Sequence, residues 1–171
     1  KGLTYPWGMA CLPDDRIVIT ERLGALRQIR DGVLDPNPTS GVPEVSTDAA
    51  LAGLMDVAVH PQFSQNQLVY LTYSKPTEAG STVALARGRL TGISLADVED
   101  VFVADADGSG AAASRVVFAP DGTLYMSVGG AFGGLRPSAQ DPSNHIGKIL
   151  RLRDDGTVPD DNPFLDRPGH A

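Results

Sequence analysis

Three histidines, one cysteine and several aspartate clusters are the groups in this 171-residue sequence whose types permit chemistry. Their spacing narrows what that chemistry can be. His60 stands directly before Pro61 at a strand end and repeats a position filled by Leu12 and Ala119 in two similar segments, which points to a structural histidine rather than a base. His145 lies with Gln140, Asp141 and Asn144 in a long Gly-rich excursion, and His145 and Gln140 are the candidates there for a role at a binding site. His170 is next to last in the chain, where order is least expected. The run Asp105-Ala106-Asp107-Gly108-Ser109-Gly110 and the clusters Asp154-Asp155-Gly156 and Asp160-Asp161-Asn162 offer oxygens of the kind calcium takes. None has the distal bidentate glutamate, so solvated turns are the expectation and no metal site is assigned. Cys11 is the only cysteine, which excludes an intrachain disulfide and a thiolate metal cluster; between Ala10 and Leu12 it is expected to be a buried, inert thiol. No Ser-His-Asp order, nucleophile elbow, phosphate loop or zinc spacing is present.

The elements that must position these groups announce themselves by repetition. Segments 9–21, 57–73 and 116–128 each run strand, turn, strand, and their anchoring prolines, Pro13, Pro61 and Pro120, lie 48 residues (61 minus 13) and 59 residues (120 minus 61) apart. A period on the order of 40–50 residues with several strands in each is the signature of β-propeller blades. The expected fold is therefore all-β, a propeller of about three four-stranded blades, in a single domain over residues 1–171. The first blade is expected over 7–9, 16–20 and 25–30, closed by an Asp31-Gly32 turn. Residues 42–45 are expected to start the edge of the second, which continues over 54–59, 68–74 and an outer strand at 83–90. Residues 98–103, 115–119, 124–128 and 148–153 make the third, with 129–147 as an excursion between its last strands.

Composition agrees. With 19 Gly and 13 Pro, about a fifth of the chain is turn punctuation, which suits short strands and leaves little room for helices. A net charge of −7 argues against a nucleic-acid partner and against anionic membrane surfaces, because both need a clustered positive surface. Arg22, Arg27 and Arg30 do gather around one hairpin, and solvent-facing arginines on an edge strand are the expectation for them. No apolar run approaches the roughly 20 residues that span a bilayer, so no membrane role is expected, and the lack of a signal peptide before Lys1 suggests a mature or trimmed form.

Three blades raise a physical problem, since propellers close rings of about four to eight and an open arc leaves its end blades with bare apolar sides. A ring completed by a second copy, or by more of a longer chain, is the expected remedy.

The motifs themselves resemble a known family. Tyr5-Pro6-Trp7-Gly8-Met9, Ile19-Thr20-Glu21-Arg22, Gly53-Leu54-Met55-Asp56-Val57-Ala58-Val59-His60-Pro61, Phe118-Ala119-Pro120-Asp121-Gly122, Gly147-Lys148-Ile149-Leu150-Arg151-Leu152 and Pro159-Asp160-Asp161-Asn162-Pro163-Phe164 are similar to the N-terminal half of the soluble aldose sugar dehydrogenases. These form the glucose/sorbosone dehydrogenase family of six-bladed quinoprotein propellers. The resemblance implies half of a six-bladed ring, a periplasmic or secreted location, and an oxidoreductase lineage. It also implies pyrroloquinoline quinone (PQQ) and calcium as cofactors, with a histidine base that takes the proton of the sugar's C1 hydroxyl.

At the positions matching that machinery this chain departs from the family. The base position is Ala111, the position of a quinone-contacting glutamine is Leu51, and the aspartate after Ser127-Val128-Gly129 is replaced by Gly130. The three loops concerned, 48–53, 110–114 and 129–135, are small and apolar while the strands keep their motifs. The resemblance thus implies a sugar dehydrogenase-like protein without catalytic residues of its own, inactive by itself and binding neither cofactor, with a sugar as substrate only if the site were intact. The alternative is a non-catalytic propeller module for binding or self-assembly, a homodimer closing a six-bladed ring.

Overall fold

The computed structural model describes residues 1–106, 112–130 and 137–167. β1 (Pro6–Cys11), β2 (Ile17–Glu21), β3 (Ala25–Arg30) and β4 (Val33–Leu34) form one sheet in chain order. β5 (Leu54–Val59), β6 (Leu68–Thr77), β7 (Gly80–Thr91) and β8 (Ser94–Val103) form a second, and β9 (Val116–Phe118), β10 (Leu124–Val128) and β11 (Lys148–Leu152) a third. Every neighbouring pair is antiparallel. Each sheet is thus an up-and-down meander, the construction of a propeller blade. Among the described residues the helices are one turn each, α1 (Phe63–Asn66) and a 3₁₀ turn at Pro137–Gln140.

Blade two is the middle layer, and its side chains divide by strand periodicity. Leu54 and Val57 of β5, Val69, Leu71 and Tyr73 of β6, and Ala84 and Ala86 of β7 pack against Val18 and Leu26 of blade one. Met55, Ala58, Tyr70, Val83 and Leu85, pointing the other way, pack against Val116, Leu124, Met126 and Leu152 of blade three. Both faces of blade two are therefore buried, and so 83–86 is a continuous buried run where alternation had suggested an outermost strand.

The outermost strand is instead β8. Residues 98–103 belong to it and pair with β7, not with blade three, which leaves the third sheet with three strands among the described residues. Sequence spacing misassigned it because a two-residue turn at Gly92-Ile93 lets β7 and β8 follow one another directly. Residues 42–45 form no strand; they follow single bridges from Thr39 to Leu26 and from Ser40 to Ser94. Asp31 and Gly32 do close the β3–β4 hairpin, both with positive φ as such turns require.

Candidate functional site at the channel mouth

The innermost strands β1, β5 and β9 lie side by side, and the loops leading into them meet at one end. Two hydrogen-bonding groups hold these strands in line. Thr20 Oγ1 accepts from Gly8 N at 2.8 Å and donates to Met55 O at 2.5 Å, joining β1 to β5. Asp56 breaks the apolar run of β5 at a bulge between Leu54 and Val57, and its carboxylate is 2% exposed. Oδ2 accepts from Val116 N at 2.9 Å and from Arg115 Nε at 3.1 Å, while Oδ1 lies so close to Gly8 that a Cβ there would sit 2.6 Å from it. A charge this buried is held only where its lone pairs are met. Sequence reading passed over Asp56, although a lone carboxylate inside an apolar strand is the signal that finds it.

The loop over 48–53 is pinned from blade one. Arg22 Nη1 donates to the carbonyls of Ala49, Ala50 and Ala52 at 3.4, 3.4 and 2.9 Å, and Leu54 N donates to Arg22 O at 2.9 Å. Gly53 allows this approach: its φ is +142°, and a Cβ would lie 2.0 Å from Arg22 O. Leu51 projects from this loop, 37% exposed. In blade three, Ser114 Oγ donates to Ser127 O at 2.6 Å, Arg115 N donates to Ser127 Oγ at 2.9 Å, and a Cβ on Gly129 would strike Ala112 O. Gly130 is buried with φ +119°. Ala111 lies outside the described residues, as do 107–110, 131–136 and His170. Among the described residues these loops thus present carbonyls and hydroxyls engaged in the fold, the Leu51 side chain, the exposed Asp48 carboxylate, which accepts from Ser46 Oγ at 3.1 Å, and the Arg115 guanidinium, which is 77% exposed.

The histidines fall elsewhere. His145 sits beside the outer strand β8: its Nδ1 accepts from Asp105 N at 2.7 Å and its ring meets Phe102 edge-on at 5.2 Å. These contacts tie it to the rim of blade two rather than to Leu51 or Gly130, and burial pushes its pKa below the usual histidine value. Gln140 is exposed at the end of the 3₁₀ turn. His60 is structural, at the opposite end of the strands. Nδ1 accepts from Gln62 N and Asn66 Nδ2, which places the proton on Nε2, 3.5 Å from Asp154 Oδ2, and the ring packs on Tyr70 and Phe118.

Two expectations are corrected here. Cys11, at the end of β1, is exposed and not buried. Arg27 and Arg22 are not free surface arginines, since Arg27 pairs with buried Glu21 at 3.5 Å and donates to Asp35 O, and Arg22 clamps the mouth loop. The clusters at 154–156 and 160–162 are solvent-facing turns, as expected: Asp155 accepts from Thr157 N two residues on, and Asp160 and Asp161, 95% and 76% exposed, pair with Arg153 and Arg151 at the surface.

Meandering blades around adjacent inner strands define a β-propeller architecture, and comparison with known proteins says which family of propellers it is. The Glucose / Sorbosone dehydrogenase family model matches residues 3–171, and the chain belongs to that family. It is 43% identical to an uncharacterized protein of Synechocystis sp., over 99% of this chain and 45% of that one. The crystal structure of the soluble aldose sugar dehydrogenase of Escherichia coli in the apo-form is similar with a TM-score of 0.91 and 35% identity, covering 99% of this chain and 50% of that one. The PQQ-bound form of aldose sugar dehydrogenase from Streptomyces coelicolor follows with a TM-score of 0.74 and 25% identity, over 99% and 49% of the two chains. The chain therefore spans about half the length of the relatives it matches.

Proposed function

We propose that this chain is of quinone-dependent sugar dehydrogenase lineage and does not itself oxidise sugars. The observation that carries this reading is the mouth. Leu51, Ala111 and Gly130 stand where the family resemblance puts a quinone contact, the base and a carboxylate, and none of the three has a side chain able to hydrogen-bond. At those three positions the quinone's carboxylates and carbonyls would lose water without gaining a side-chain donor, at a cost of about 1–3 kcal/mol for each group left unmet, so the residues there do not fit PQQ. At the position of the family's base, Ala111 offers a sugar hydroxyl no proton acceptor. A periplasmic or secreted location is part of the same reading, carried over from the family.

Calorimetric titration with PQQ and calcium, followed by dye reduction with glucose, tests the proposal. No heat of binding and no dye reduction are expected. Micromolar binding accompanied by glucose-dependent reduction overturns it.

A further inference from the structure

The junction of blades two and three opens, at the end of the strands away from the mouth, into a cleft of about 510 Å³. Its walls are residues 60–62 after β5, the turn 120–123 between β9 and β10, and residues 153–154 after β11. Blade two is buried on both faces, so this junction is complete whatever covers the end blades.

His60 anchors one wall. Its side chain is 9% exposed, and its Nδ1 is spent inside the fold, accepting from Gln62 N at 3.0 Å and from Asn66 Nδ2 at 2.8 Å. Leu68 N donates to Asn66 Oδ1, which fixes the orientation of that amide. The ring proton is therefore on Nε2, where it faces Asp154 Oδ2 at 3.5 Å, beyond the range of a good hydrogen bond. Asp154 is held by its backbone instead, since Tyr70 Oη and Arg87 Nη1 donate to its carbonyl at 2.8 and 3.2 Å. A buried donor and a half-exposed carboxylate are thus fixed too far apart to satisfy each other.

That spacing selects a ligand. An oxygen about 2.9 Å from each group can accept from Nε2–H and donate to the carboxylate together, which is what a hydroxyl does. An anion would accept from His60 but meet Asp154 and Asp121, both on the cleft wall, as like charges. An ammonium would suit Asp154 and oppose the Nε2–H. A metal ion would need the Nε2 lone pair, and the displaced proton could not move to Nδ1, where two donors already point. Arg153 is turned to Val158 O and Asp160, so its charge is matched. Beside the pair, Gln62 is exposed with its amide open to a second hydroxyl, and Pro61 and Pro120 add apolar surface.

We infer that this cleft binds a neutral polyhydroxylated ligand, a sugar or a polyol, with one hydroxyl bridging His60 Nε2 and Asp154. The site lies apart from the mouth and is independent of whether PQQ binds there.

Methyl α-glucoside and sorbitol are the probes, because neither carries the anomeric hydroxyl that a sugar dehydrogenase oxidises. Titrated into the isotope-labelled chain, at least one is expected to give saturable amide shifts at Gln62, Thr123 and Asp154 with a Kd of about 1–10 mM. Which one binds tells a ring from an open chain. Asp154→Ala keeps the carbonyl that Tyr70 and Arg87 use, so it is expected to fold and to bind at least about ten-fold more weakly. Should it not fold, Gln62→Ala at the exposed wall serves instead, with binding weaker by about three-fold or more. No saturable shift up to about 100 mM leaves the cleft to water and overturns the inference. The same shifts with acetate or methylammonium, or unchanged binding by the folded variant, overturn it as well. Oxidation is not read in this titration, so its failure leaves the proposed function standing.

Discussion

A buried carboxylate needs its lone pairs met inside the protein, and those of Asp56 are met by the backbone of the next blade and by Arg115. The two partners are not equal. Arg115 is mostly in water, so its ion pair is screened and worth at most about 1 kcal/mol, whereas Val116 N is buried and would be left without an acceptor. Asp56→Ala is therefore expected to lower unfolding free energy by about 1–3 kcal/mol and Arg115→Ala by less than about 1 kcal/mol, as measured by urea denaturation. Equal losses for the two variants would show that the charge, and not the hydrogen bond to the backbone, ties the strands. Gly8 belongs to the same contact, for any side chain there would displace Asp56.

At the scale of elements, blade two is held by burial on both of its faces. Leu85 is wholly buried in the core between blades two and three, so Leu85→Ala is expected to cost about 2–5 kcal/mol in the same denaturation experiment. His145 joins the end of β8 to the loop before β11 through Asp105, and burial is the main cause of its lowered pKa, opposed by the nearby Asp105 charge and helped by Lys148. The consequence for stability follows from proton uptake. The unfolded chain binds a proton at this histidine at a higher pH than the folded one, so stability falls as pH drops below about 6.5, the ordinary histidine value, toward the lowered folded value. Denaturation midpoints at pH 7.5 and 5.5 should differ less for His145→Asn than for the unchanged chain; an identical difference would place the acid sensitivity in other groups.

For the molecule as a whole, three blades and their spacing were legible before any coordinates, because proline-anchored strand pairs recur and strand alternation exposes itself in Val, Leu and Tyr. Family membership was legible too, through motifs lying mostly in strands. What local spacing misplaced was the ownership of a strand: residues 98–103 went to blade three on proximity, while β7 claimed them through a two-residue turn. Exposure of Cys11 was equally out of reach, since an apolar neighbourhood along the chain does not reveal which side of a strand is covered, whereas the burial of Asp56 was signalled by a lone carboxylate in an apolar strand and passed over. Leu51, Ala111 and Gly130 could be read directly as letters. That Arg22 donates to three carbonyls of the loop over 48–53, and that His145 stands at the rim beside Phe102, depended on strands brought together from distant parts of the chain. Sequence alone determined the blades and their number, because those are local or periodic properties. Tertiary structure decided the hydrogen bonds across blades, because each is a relation between segments tens of residues apart that only packing brings into contact.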